Sequence, residues 1–480
     1  MSKKGEITRS VWQRKFKQWF RDALIDAEIF DYRYPIKGFG AWLPYGFKLR
    51  ENVTAILRRL LDESGHEEVL FPLLIPREML EKESEHIAKF EEQVFWVTKG
   101  GRRRLGEEYA LRPTSETAIA PMLKLWIRSH RDLPKIFYQV VNIFRYETKA
   151  TVPLLRVREV MTFKEAHTAH ATLREAERQV RIAIGVYRKF FDELGVPYLI
   201  SKRPDWDKFP GAEYSIAFDF VCPNGQVLQI GTVHNLGQNF SRVFDISFET
   251  PRGDSEYVWQ TCYGISGRGI ASMIIAHGDD RGPVLPPNVA PTQIVIVPIP
   301  YRGYEKSEER VAKLIAKKLG NAGVRFIIDN RRRLTPGSKF YDWEIRGVPL
   351  RIEIGPRDVD EDRITIVRRD TLERSTVPLT DVASTADEIM REMVSDLSKR
   401  AWEWMRKRIV KTSSIERLRD LLTHGRVVET GWCGEESCGL SIEEQSNASI
   451  LGTAIGKRAR GKCLVCGREA HHVIRIARTF

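Results

Sequence analysis

Apolar residues recur at helical spacing over residues 11–28 and again from Phe47 to Glu63, where Leu49, Val53, Ile56, Leu57 and Leu60 share one face. Gly65 is placed to end the second helix, because glycine takes the left-handed conformation without steric cost. A short strand from Glu68 to Phe71 follows and closes at Pro72, which has no N–H to give a ladder. Alternation then replaces helical spacing. Phe137 to Glu147 reads as a strand in which Val141, Ile143, Arg145 and Glu147 share a face, so an arginine and a carboxylate project side by side from its end. A core strand that turns charged at its tip is unusual, because burying unpaired charge is costly; the plain alternative is an exposed strand end with a weak ion pair. From Tyr214 to Val233 the chain alternates as an antiparallel pair with Pro223-Asn-Gly225 as its turn.

The rhythm changes after a proline-rich connector, Gly282 to Pro291. Beyond it, strands at Gln293–Pro298, Val324–Ile328, Leu350–Ile354 and Arg363–Val367 are separated by helices at Glu308–Leu319 and Tyr341–Ile345. A helix through Ala386 to Val410 leads to the end of the chain. The fold class predicted is an α+β unit with a mainly antiparallel sheet flanked by helices over 1–284, an α/β unit over 285–400 and a small α+β unit over 401–480.

Composition narrows the function. At 480 residues, 42% of them hydrophobic, the chain can fill more than one core. Its 77 Lys and Arg against 64 Asp and Glu leave a net charge of +13, which favours a polyanionic partner. No run approaches a membrane-spanning length, and Met1-Ser-Lys-Lys-Gly-Glu lacks the apolar stretch of a secretory signal, so a cytoplasmic protein without membrane contact is expected. No Walker loop is present, and neither are the His-Ile-Gly-His and Lys-Met-Ser-Lys-Ser signatures of class I synthetases.

Four of the six cysteines form two local pairs, Cys433 with Cys438 and Cys463 with Cys466. Four thiolates so presented satisfy tetrahedral Zn²⁺ with no open position, which is a structural site; disulfides are the alternative. Cys222 and Cys262 read as packed core thiols.

Phe144-Arg-Tyr-Glu147, with the later pair Arg156 and Arg158, resembles motif 2 of the class II aminoacyl-tRNA synthetases. Gly264-Ile-Ser-Gly-Arg-Gly-Ile270 resembles a short form of their motif 3, Thr114-Ser-Glu116 their amino-acid-binding loop, and the helix, strand and Pro72 their dimer-forming motif 1. Adding Phe163-Lys-Glu-Ala-His167, Gln229-Ile-Gly-Thr-Val-His234 and the run from His277 to Pro287, nearly the whole chain resembles prolyl-tRNA synthetases of archaeal and eukaryotic type.

The resemblance implies a homodimeric ligase that activates L-proline with ATP and Mg²⁺ and esterifies tRNA(Pro). It assigns catalysis to Arg145 and Arg268. ATP falls to Arg145, Glu147, Arg156, Gln229, Thr232 and Arg268, with Arg158 a rival to Arg156 for the γ-phosphate. Proline falls to Thr114, Glu116, Arg145, Phe163, Glu165, His167, His234 and Ser266. Zinc falls to Cys433, Cys438, Cys463 and Cys466. Strand parity complicates this: Thr232 and His234 share a face that Gln229 does not, unless Gly231 marks a bulge. Motif 3 also lacks its usual acidic residue at Gly267-Arg-Gly269, which leaves the number of metal ions open.

The stretch from Lys149 to Tyr263 is too short for an editing domain, and a missing methylene discriminates by only about 1–3 kcal/mol, so misactivation of cysteine and alanine is expected. In these relatives a terminal aromatic carboxylate reaches toward the active site; here the end is Thr479 and Phe480. For tRNA reading, Arg331, Arg332, Arg333, Lys339, Phe340, Arg346 and Arg351 supply cations and a ring. A threonyl enzyme would need a metal-binding active site of cysteine and histidines, and a non-enzymatic paralogue would have lost ATP-contacting arginines that are present here.

Overall fold

The first helix is interrupted in the computed structural model, which describes residues 8–82 and 91–480 and so leaves the polar start at Met1 outside. It runs as Ser10–Arg14 and then α1, Phe16–Asp26, because the backbone departs from helical geometry at Lys15. Trp12, Phe16, Trp19 and Phe20 are buried across both pieces. Helix α2, Pro44–Asp62, starts on a proline whose missing N–H would have no helical partner there, and it buries Leu49, Val53, Leu57 and Leu60. Strand β1 is only Glu67–Glu68, shorter than the sequence suggests. Past it, the amide of Phe71 bonds Gln139 Oε1 at 3.0 Å instead of a ladder carbonyl.

Helix α3, Glu116–Trp126, precedes β2, Lys135–Phe144, and β3, Glu159–His170. Helix α4, Leu173–Glu193, is closed by a capping box between Thr172 and Glu175. Strands β4, Leu199–Lys202, β5, Tyr214–Val221, β6, Val227–Gly237, and β7, Trp259–Ser266, follow, and β7 runs straight into α5, Arg268–His277.

The α/β unit contains β8, Ile294–Pro298, α6, Glu305–Asn321, β9, Phe326–Ile328, α7, Pro336–Ile345, β10, Leu350–Ile354, β11, Arg363–Arg368, β12, Arg374–Pro378, and α8, Val382–Arg406. Its sheet runs β9-β8-β10-β11-β12, parallel at β9, β8 and β10 and antiparallel beyond. A buried pair anchors it: Arg369 Nη2 donates to Asp279 Oδ1 at 2.9 Å, just past α5.

The last segment brings β13, Ile409–Lys411, α9, Ile415–Thr423, β14, Val427–Trp432, β15, Ser449–Ala454, and β16, His472–Ala477. This small α+β unit extends the first sheet through its strands. Eleven strands run β13-β14-β16-β15-β4-β5-β6-β7-β3-β2-β1, mainly antiparallel. The seam is Thr453 with Lys202 and Ala454 with Ser201. Pairing between strands so distant in sequence leaves no local trace, whereas close cysteine pairs do. The largest core lies between one face of this sheet and α2, α4 and α5, which leaves the opposite face for the site.

Candidate active site

Strand alternation delivers the site. On β3, Phe163, Glu165 and His167 face a cavity of about 410 Å³. Lys164 points the other way and donates to Tyr187 Oη at 3.0 Å. On β7, Cys262, Gly264 and Ser266 line the cavity while Ile265 packs in the core. On β6 the parity problem is solved by a bulge: Phe218 pairs with Gly231 but Asp219 with Gln229, so Ile230 is the extra residue. Gln229, Thr232 and His234 consequently all line the cavity. Thr114, Glu116, Arg145, Glu147, Arg156 and Arg268 complete the wall, so every residue named for proline or ATP is brought to one place.

Arg145, Arg156 and Arg268 bring guanidinium groups to the cavity. The ladder of β2 stops at Phe144 and is irregular between Val141 and Ile143, so the strict alternation through Glu147 read from the sequence does not hold. Arg145 lies just past the ladder, its amide on the Arg158 carbonyl at 2.8 Å and its Nε on the Pro113 carbonyl at 3.0 Å. Arg268 opens α5, with Nε donating to the Leu155 carbonyl at 2.7 Å and Nη1 to the Gln229 carbonyl at 3.3 Å. Burial, then the neighbouring charges of Arg145 and Arg156, lower the Arg268 pKa to about 10. Arg156 Nε lies 4.0 Å from Glu147 Oε2. Arg158 turns away, with its guanidinium over the Tyr146 ring at 4.1 Å, and does not line the cavity.

Glu116 and Glu165 bring carboxylates to the same cavity. Thr114 donates its hydroxyl to Glu116, and Ser115 donates to Glu165. Gln139 Nε2 holds Glu165 Oε1 at 2.9 Å. Glu165 Oε2 and His167 Nε2, 3.7 Å apart, are buried without a hydrogen-bond partner among the described residues. Burial would raise the Glu165 pKa, but His167, Ser115 and Gln139 outweigh it and lower it. Burial would lower that of His167, but Glu165 and Glu116 raise it. His234 stacks on Phe209 at 4.8 Å and bonds Ser215 Oγ at 2.7 Å, and burial followed by Arg203 and His167 pushes its pKa down to about 3.

Several wall residues escaped the sequence reading. Arg203, Asp207 and Phe209 lie just after β4, where no alternation singles them out, and Cys262 lines the cavity wall as well. Cys222 and Cys262 are both core thiols, Cys222 in the main core and Cys262 in the cluster around Leu236 and Phe240.

Three family models match in chain order: the class II tRNA synthetase core domain for Gly, His, Pro, Ser and Thr over residues 95–277, an anticodon binding domain over 293–389, and the prolyl-tRNA synthetase C-terminal domain over 415–480. The proline–tRNA ligase of Methanopyrus kandleri is 53% identical over 97% of this chain and 96% of its own length. That of Saccharolobus islandicus is 50% identical over 99% and 100%. The chain belongs to the prolyl-tRNA synthetase family.

Solved prolyl-tRNA synthetases superpose closely. That of Giardia lamblia, in complex with prolyl-adenylate, gives a TM-score of 0.95 at 34% identity, covering 99% of this chain and 100% of that one. That of Cryptosporidium parvum, complexed with halofuginone and AMPPNP, gives 0.93 at 32% identity, covering 98% of each.

The cysteines meet as a cluster. Sγ atoms of Cys433, Cys438, Cys463 and Cys466 all lie within 4.8 Å of one another. Cys466 and Cys433 are 3.7 Å apart, far beyond a disulfide and close to the edge of about 3.8 Å that Zn–S bonds of about 2.3 Å impose on a tetrahedron. Arg468 Nε donates to Cys466 Sγ at 3.4 Å, and this cation draws the thiol down to about 6. The donor set therefore fits a zinc ion.

Two further expectations change. The terminus does not line the cavity: Phe480 bonds the Val227 carbonyl at 3.3 Å and packs on Phe16 at 6.2 Å. In the α/β unit, Lys339 is buried on the Asp329 carbonyl, Arg331 is paired with Asp329 and Asp342, Arg346 with Glu28, and Arg351 with Glu344 and Glu353. These cations hold the unit together; Arg332 and Arg333 remain exposed. Interleaved acids in the sequence were the sign of it.

Proposed function

We propose that the chain joins L-proline to ATP as prolyl-adenylate, releases pyrophosphate, and passes the prolyl group to the 3′ end of tRNA(Pro). The observation that carries this reading is one cavity that gathers the guanidinium groups of Arg145, Arg156 and Arg268 together with the carboxylates of Glu116 and Glu165. A zwitterion placed with its secondary ammonium on Glu116 and Glu165 presents its carboxylate toward Arg145. Phe163 and the Phe209–His234 stack offer the ring an apolar wall.

A carboxylate oxygen then bonds to the α-phosphorus of ATP as the bond from that phosphorus to the bridging oxygen breaks, and the electron pair leaves with pyrophosphate. Such a transfer asks for placement and for positive charge on the oxygens, and buried arginines supply both. In the second step the terminal ribose hydroxyl attacks the acyl carbon, its proton is lost, and AMP leaves.

Glu147 is the cavity carboxylate beside Arg156 that would hold magnesium, which would supply charge neutralisation on the triphosphate. Structural zinc is assigned to Cys433, Cys438, Cys463 and Cys466. A homodimer is supported by Leu70, Leu73 and Leu74, apolar and exposed beside β1. No helix among the described residues is long and apolar enough to cross a membrane, and a cytoplasmic site of action is proposed with the rest.

ATP–pyrophosphate exchange with proline, threonine, cysteine and alanine tests the assignment. Strong exchange with proline, weak but measurable exchange with cysteine and alanine, and none with threonine is the expected pattern. Exchange with threonine alone would overturn it.

A further inference from the structure

Away from the cavity, a second groove of about 800 Å³ lies where β13, β14 and β16 meet the loop from Lys457 to Lys462. Six cations line it, Lys411, Arg417, Lys457, Arg458, Arg460 and Lys462, against one carboxylate, Glu429. Glu429 is buried and already engaged, with Lys457 Nζ at 2.5 Å and Arg475 Nε at 3.1 Å. Among the described residues, none of the other five lining cations has a carboxylate within ion-pair distance, and all five are exposed. Arginines elsewhere, such as Arg331, Arg351 and Arg368, are paired internally. The charge at this groove is therefore unspent.

Its donors suit phosphate. Ser413 adds a hydroxyl just before α9, whose N-terminus is already capped by Ser414 while the Ser414 hydroxyl donates to Glu416, so the cations are the main donors. No aromatic ring lines it and Val473 is its one apolar side chain, so it offers nothing for stacking bases or for seating peptide side chains. Contacts of that kind grip a backbone and set its register without reading sequence.

We propose that this groove is a docking site for the phosphodiester backbone of RNA, separate from the adenylation cavity and from the anticodon-binding unit. With the ligase reading, on which the RNA's identity rests, it holds the body of the tRNA and reports its shape.

The test is binding of a tRNA(Pro) transcript to the full chain across a salt series, with the triple variant Lys411→Ala, Arg458→Ala, Arg460→Ala and a charge-conserving Arg458→Lys, Arg460→Lys control. The triple variant is expected to lose about tenfold or more in affinity, and the slope of log K against log salt is expected to fall by about 2–3, one for each phosphate contact removed. The control should bind as the native chain does. Proline-dependent exchange and zinc content should be unchanged throughout. An unchanged slope and affinity in the triple variant would overturn the proposal, as would equal competition by polyglutamate, which would make the groove an acidic-peptide site. If the native chain shows no proline-dependent exchange while the slope still falls, the catalytic reading fails and the groove stands.

Discussion

Arg203 Nη2 lies 2.8 Å from Gln229 Oε1, and the same guanidinium clasps the buried carboxylate of Asp219 at 2.7 and 3.1 Å. Its Nη1 also donates to the Leu451 carbonyl on β15. One side chain thus joins the bulged strand of the cavity to the end of the sheet that carries the cysteine cluster.

Removing that cation leaves Asp219 buried and unpaired. Arg203→Met is expected to cost about 3–5 kcal/mol, read as a lower midpoint in thermal unfolding, and to raise the KM for ATP through Gln229. Adding Asp219→Leu should restore most of the stability but not the KM, which separates the two effects.

Arg268 bonds two carbonyls through a planar fork that an ammonium cannot reproduce. Arg268→Lys is therefore expected to lower proline-dependent exchange by about 10²- to 10³-fold with the fold intact by circular dichroism. The crowding of cations around it also predicts that a non-hydrolysable ATP analogue stabilises the native chain, by about 2.7 kcal/mol at a hundredfold excess over Kd.

Burial holds His66 and His170 near a pKa of about 4, and His234 and His277 near about 3. Below pH 6.5 the unfolded chain takes up protons that the folded one excludes, so stability should fall as pH drops toward 4, by about 1.4 kcal/mol per pH unit for each proton. His167 runs the other way: its folded pKa is raised, so its contribution is complete below 6.5 and is lost as pH climbs through the folded value. Unfolding midpoints between pH 4 and 7 check this, and His277→Gln, which can still donate to the Leu194 carbonyl, should make the slope shallower.

A mercurial that titrates thiols is expected to release one zinc ion per chain and to lower the unfolding midpoint. Cys438→Ser should do both without reagent, since a structural metal's binding energy is folding energy. Release of less than half an equivalent would count against the ion.

The sequence shows most of the site because its residues sit in strands whose alternation and motif spacing survive as text. Phe163, Glu165 and His167 are legible through the resemblance to prolyl-tRNA synthetases, and strand alternation then sets them on one face. Gln229 is legible only as a contradiction, and the bulge at Ile230 that resolves it depends on pairing with Phe218 and Asp219. Arg203 is silent in the sequence because its partners come from β5, β6 and β15. Lys339 and Arg351 meet Asp329 and Glu353 rather than water, and which of the interleaved acids each cation takes depends on the fold.

The seam at Ser201 and Ala454 is short, yet it caps an otherwise open ladder along β4. A fragment ending at residue 400 would present β4 as a naked rim of unsatisfied amides, ready to template against another copy. Shortened forms of this chain should accordingly precipitate or swap strands before they reveal anything about catalysis.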